Sequence, residues 1–97
     1  EARPLPAAYR KDRTMQLNML YFARLRDTLG LDSETLDSEA ATVAELLAEL
    51  RQRGGEWARA LAAGQTFRVA VNQDMASGDT PLADGDEVAV FPPVTGG

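Results

Sequence analysis

The order strand, strand, one long capped helix, then further strands predicts an α+β fold in which a mixed sheet curls over one main helix. Three observations carry this expectation. Hydropathy alternates after Met15; apolar residues recur at helical spacing between Thr42 and Gly54; and FRVAV (67–71) and EVAVF (87–91) read as later strands. With 97 residues the chain has room for one modest core.

Each element has its own signal. Residues 1–14, EARPLPAAYRKDRT, are Arg- and Pro-rich and lack periodicity. They read either as a cloning remnant or upstream extension, with Met15 as the natural start, or as a disordered native arm; the abrupt change favours the first. Leu17, Met19 and Tyr21 alternate with Gln16 and Asn18, the period of a strand, while Leu20 and Phe22 make the second face apolar too. ARLRDTLG predicts a short helix closed by Gly30, and SETLDS (33–38) a brief second strand.

TVAELLAELRQRGG is the main helix. Thr42 and Glu45 form a capping box, Val43, Leu46, Leu47 and Leu50 share a face, and Arg51 and Arg53 suit the last turn. Gly54 supplies a left-handed stop. EWARALAAG predicts a further short helix, with Trp57 expected in core packing. Asn72-Gln73-Asp74 is a turn, Met75–Ser77 a short return strand, and Thr80-Pro81 and Asp84-Gly85 are turns before the last strand, Glu87–Phe91. This is the β-grasp, or ubiquitin-like, architecture, in which the first and last strands lie parallel at the sheet centre.

Strand parity then sorts the side chains. The helix-facing core collects Leu17, Met19, Tyr21, Phe67, Val69, Val71, Val88 and Val90. Leu20, Phe22, Ala89 and Phe91 remain on the outer face, where a half-solvated sheet normally carries polar groups. Such an apolar patch reads either as a partner surface or as strand ends that curl so the rings tuck into a secondary core; parity favours the partner surface.

Composition narrows the function. A net charge of −5, with no evident basic patch and few aromatics, argues against nucleic-acid binding. The sequence contains neither Cys nor His, so it has no thiolate nucleophile, no Ser-His-Asp triad and no cysteine- or histidine-based metal site. No apolar run is long enough to span a membrane, and the start has no signal-peptide pattern, so a cytoplasmic protein is expected.

The last seven residues, FPPVTGG, pose the chemical question. Pro92-Pro93 forbids continued pairing and turns the chain outward from its strand. Four residues beyond Pro93 reach roughly 13–14 Å if extended. Gly96 and Gly97 have no Cβ and fit a passage too narrow for other residues. The reactive group at that tip is the carboxylate of Gly97, a poor electrophile until it is activated. The chain has no means of activating it, so the tip is expected to be the substrate of another enzyme.

YFARLRDTLG, VNQDM and PLADGDEVAVFPPVTGG resemble the small subunits of molybdopterin synthase, a family of β-grasp sulfur carriers, over Met15 to Gly97. The FPPV segment followed by a small residue and Gly-Gly is the most specific element, since thiazole-pathway carriers and ubiquitin-like modifiers generally lack Phe-Pro-Pro. The resemblance implies that a partner similar to ubiquitin-activating enzymes adenylates Gly97 with ATP, that Gly97 becomes a thiocarboxylate, and that this chain binds no cofactor itself. The loaded tail, Pro92, Pro93, Val94, Thr95 and Gly96 behind Gly97, would enter the large synthase subunit. There it would give sulfur to a cyclic pyranopterin monophosphate within a heterotetramer of two large and two small subunits. The resemblance also implies that Phe22, Met75 and Phe91 form the apolar contact surface, with Arg26 a polar contact beside it. A protein modifier, or a sulfur carrier of another pathway, remains the alternative.

Overall fold

The computed structural model describes residues 14–62, 64 and 66–93. The expected N-terminal extension, apart from Thr14, therefore lies outside the described residues, as do Val94, Thr95, Gly96 and Gly97. The elements run β1 (Met15–Tyr21), α1 (Ala23–Leu29), β2 (Ser33–Ser38), α2 (Val43–Arg51), α3 (Gly55–Ala60), β3 (Arg68–Val71), β4 (Asp74–Met75) and β5 (Glu87–Phe91).

The strands form one five-stranded sheet in the order β2-β1-β5-β3-β4. β1 and β5 are parallel neighbours, with Met19 opposite Val88 and Tyr21 opposite Val90. β2 pairs antiparallel with β1, and β3 lies antiparallel to both β5 and β4. This is the expected β-grasp, with the first and last strands joined near the sheet centre. The parallel pair needs a long crossover, and the helices in that crossover cover one face of the sheet.

α2 forms because its first turn leaves no backbone donor unpaired. Thr42 accepts from the Glu45 amide through its hydroxyl and from the Leu46 amide through its carbonyl. Val43 and Ala44 donate to the carbonyls of Thr80 and Gly78 in the loop before β5. The return bond of the capping box goes from the Ala41 amide to Glu45, one residue ahead of the expected Thr42 amide. Val43, Leu46 and Leu50 are buried on the sheet side, each such burial stabilising by about 1.5–3 kcal/mol.

The core assembles as parity predicts. Leu17, Met19 and Tyr21 of β1, Val69 and Val71 of β3, and Val88 and Val90 of β5 are buried with Leu25, Val43, Leu46, Leu50 and Leu61. Phe67 departs from expectation: it precedes β3 and is only half-buried against this cluster.

Two boundaries also differ. Gly30 ends α1 in the left-handed region at φ 83°, as expected. Gly54, however, is not the stop of α2, whose cap is right-handed Gln52; at φ 77° and ψ −174° it turns the chain into α3. The return strand is Asp74–Met75 rather than Met75–Ser77. Asn72 and Gln73, both at positive φ, make a two-residue turn of the kind that tightens hairpins and starts pairing at once.

Candidate partner-binding surface

The outer face of the sheet can be written row by row from the registers. Leu20 lies opposite Ala89, Ala89 opposite Ala70, and Ala70 opposite Met75, so one apolar row crosses β1, β5, β3 and β4. Toward the C-terminal end of β5, Phe91 pairs with Arg68, and the Phe22 amide donates to the Val90 carbonyl beside Phe91. At the opposite end Asn18 faces Glu87, and Asn72 binds both the Asp86 side chain and the Glu87 amide. The outer face thus runs from polar to apolar toward the end from which Pro92 departs.

Two large apolar side chains of this surface are open to water. Phe22 is 44% exposed and Met75 63% exposed, both unusual for large apolar side chains on a small domain. Leu20 and Phe91 are half-buried. Ala89, expected among the outer residues, does point outward by register, yet only 8% is exposed, because its small side chain lies between Leu20 and Ala70.

The position of Phe22 is fixed by the backbone around it. Its carbonyl accepts from the amides of Leu25 and Arg26, starting α1 directly after β1. Ala23 makes this abrupt switch at φ 53°, a conformation costing an L-residue about 1–2 kcal/mol. The strain sits beside Phe22, the most exposed aromatic ring among the described residues. Arg26, on the first turns of α1, is exposed and loosely paired with Asp27 at 3.6 Å.

Of the sequence-predicted contacts, the structure brings Phe22, Met75 and Phe91 onto one face with Leu20 and Ala70 added between them. Pro92 and Pro93 follow Phe91 directly and are half-buried. Arg26 belongs to α1 rather than to the sheet, and Val94, Thr95, Gly96 and Gly97 lie outside the described residues. Two arginines that the sequence did not single out stand at the same rim. Arg68 is the cross-strand neighbour of Phe91, and Arg24 donates to the Thr66 carbonyl at 3.4 Å, two residues before Arg68.

Behind the patch, a polar cluster stiffens the inner side of β1. The Tyr21 hydroxyl donates to Glu34 at 2.8 Å, and Arg53 forks onto both oxygens of that carboxylate at 2.9 and 3.1 Å. Arg53 also lies 4.3 Å above the Trp57 ring, whose edge meets Tyr21 at 5.3 Å between centroids. Burial, then the bond to Glu34, pushes the Tyr21 hydroxyl far above its ordinary pKa. Trp57 is a packing residue, as expected, and Arg53 works here rather than at the end of α2.

Among the described residues no group of three or more acidic side chains could hold a metal ion. No described helix is long and apolar enough to cross a membrane. The Tyr21 hydroxyl, raised well above its ordinary pKa, is buried and donates to Glu34.

Known proteins share both sequence and fold. Molybdopterin synthase sulfur carrier subunit of Escherichia coli is 43% identical over 84% of this chain and 99% of its own length. Subunit 1 or 2 in the complex of molybdopterin-converting factor from Helicobacter pylori superposes with a TM-score of 0.58 at 27% identity, covering 86% of this chain and all of that one. Small archaeal modifier protein 1 of Haloferax volcanii gives a TM-score of 0.61 at 26% identity, over 82% of this chain and 99% of its own. Residues 19–97 match the ThiS family as a whole, and the chain belongs to that family.

Proposed function

We propose that this chain is the sulfur carrier subunit of molybdopterin synthase, inert alone and active through the carboxyl group of Gly97. The observation that carries this reading is the apolar outer face, which culminates in Phe22 and Phe91 at the root of the FPPVTGG segment. A partner seated there receives the tail in the same act of binding. The 43% identity to a named sulfur carrier subunit supports the assignment.

The chemistry divides into three steps. In an adenylating partner, a carboxylate oxygen of Gly97 attacks the α-phosphate of ATP and expels pyrophosphate. A sulfur donor then displaces AMP, leaving a thiocarboxylate. In the large synthase subunit that sulfur passes to a cyclic pyranopterin monophosphate, and water completes the return to the carboxylate. The Helicobacter pylori structure is a complex of subunits 1 and 2 of one factor, which supports a large-subunit partner here. We assign a heterotetramer of two large and two small subunits, with Phe22, Met75 and Phe91 against the partner, Arg26 beside them, and Pro92, Pro93, Val94, Thr95 and Gly96 threading the tail inward. ATP-dependent loading fits a cytoplasmic setting, and ATP is held by the activating enzyme.

Reconstitution with both partners, ATP and a sulfur source tests the reading. Removing Gly97 is expected to abolish molybdopterin formation; undiminished product from the shortened chain would refute it. A second reading, attachment of Gly97 to lysine amines as a protein modifier, is favoured by the likeness to small archaeal modifier protein 1. It predicts high-mass conjugates in the same mixture, where the carrier reading predicts none.

A further inference from the structure

The described arginines fall into two groups. Arg53 and Arg59 are paired with Glu34 and Glu56, Arg26 lies near Asp27, and Arg51 donates to the Leu61 carbonyl at 2.9 Å. The Arg24 side chain has only the 3.4 Å bond to the Thr66 carbonyl, and the Arg68 side chain has no hydrogen bond or ion pair among the described residues. Both are exposed: Arg68 opens β3 opposite Phe91, and Arg24, on α1 two residues after Phe22, reaches the segment just before β3. Glu56 lines the same cleft as Arg24 but is engaged by Arg59.

The far end of the sheet carries the opposite sign. Asp86 and Glu87 stand where β5 begins, Asp84 precedes them, and Asp74 opens β4. From Glu87 to Phe91 the strand rises about 13 Å at roughly 3.3 Å per residue. That exceeds the Debye length of about 8 Å at physiological ionic strength, so the acidic end does not cancel the field at the arginine rim. A chain of net charge −5 therefore presents a local positive rim around the root of its tail.

We infer that Arg24 and Arg68 are specificity-determining contacts, selecting a large synthase subunit whose docking face carries carboxylates around the opening that receives the tail. This rests on the carrier reading above and adds the charge of the partner's rim to it. Docking Phe91 into an apolar seat necessarily strips water from Arg68 next to it, and an uncompensated guanidinium there would oppose binding. A carboxylate opposite removes that cost and draws the tail end of the molecule toward the opening before contact.

The test is the association rate of the full chain with its cognate large subunit, measured at low and at physiological salt. The wild-type rate is expected to fall as salt rises. Replacing both residues, Arg24→Glu with Arg68→Glu, is expected to slow association about tenfold at low salt and to flatten or invert the salt dependence. The neutral single change Arg68→Gln gives a smaller loss in the same direction and guards against a folding defect in the double variant. Unchanged rates and an unchanged salt slope in a pair that still binds and transfers sulfur would overturn the rim while leaving the carrier reading intact. A wild-type chain that failed to bind the large subunit at all would overturn both.

Discussion

The two faces of the same sheet are built from the same strands but to different ends. On the inner face Leu17, Met19, Tyr21, Val69, Val71, Val88 and Val90 interlock with the helices and are almost wholly shielded from water. On the outer face the strands offer Leu20, Ala70 and Ala89, small or half-covered, flanked by the exposed Phe22 ring and Met75 thioether and the half-buried Phe91 ring. Both faces are apolar, yet among the described residues only one has a covering layer. The comparison teaches that hydrophobicity alone does not separate stability from recognition; the presence or absence of a covering layer does.

The sharpest way to break that contrast is to mutate each face and measure unfolding and binding together. Leu46→Ala opens a cavity under the sheet and is expected to cost about 3–5 kcal/mol by denaturant titration. Glu34→Ala leaves the Tyr21 hydroxyl and Arg53 without their shared acceptor, with an expected loss of about 1–3 kcal/mol.

The raised pKa of Tyr21 makes a pH prediction of defined sign. Above the ordinary tyrosine pKa of about 10 the unfolded chain releases the proton while the folded one retains it. Stability is therefore full below that pH and falls above it, by about 1.4 kcal/mol per pH unit from this residue alone. Tyr21→Phe should remove that share of the alkaline slope, read from thermal midpoints in a pH series.

Phe91→Asp should have the smallest effect on folding, less than about 1 kcal/mol, because the ring stands on the uncovered face. Its association with the large subunit should nonetheless weaken by at least about tenfold. If Phe91→Asp instead unfolds the domain, the outer face is core and the contrast fails.

Much of this was legible because strand side chains repeat every two residues. Parity alone assigned seven inner residues correctly and put Leu20, Phe22, Ala89 and Phe91 outside. Parity could not place Met75, since β4 has only two residues and its register is set by the tight Asn72-Gln73 turn. The Tyr21–Glu34–Arg53–Trp57 cluster was equally hidden, because its members come from β1, β2, the segment after α2, and α3. Arg24 and Thr66 are forty-two positions apart, and only the sheet order brings α1 to the start of β3. Phe67 packs against the core its parity predicts, but only half-buried, because β3 begins one residue later than the hydropathy suggests.

The most direct measurement is the intact mass of the chain after incubation with ATP, a sulfur donor and the adenylating enzyme. A sulfur carrier gains the difference between one sulfur and one oxygen atom, localised to the peptide that contains Gly97. A chain that stays at its starting mass, or that appears only as conjugates to other proteins, would contradict the account.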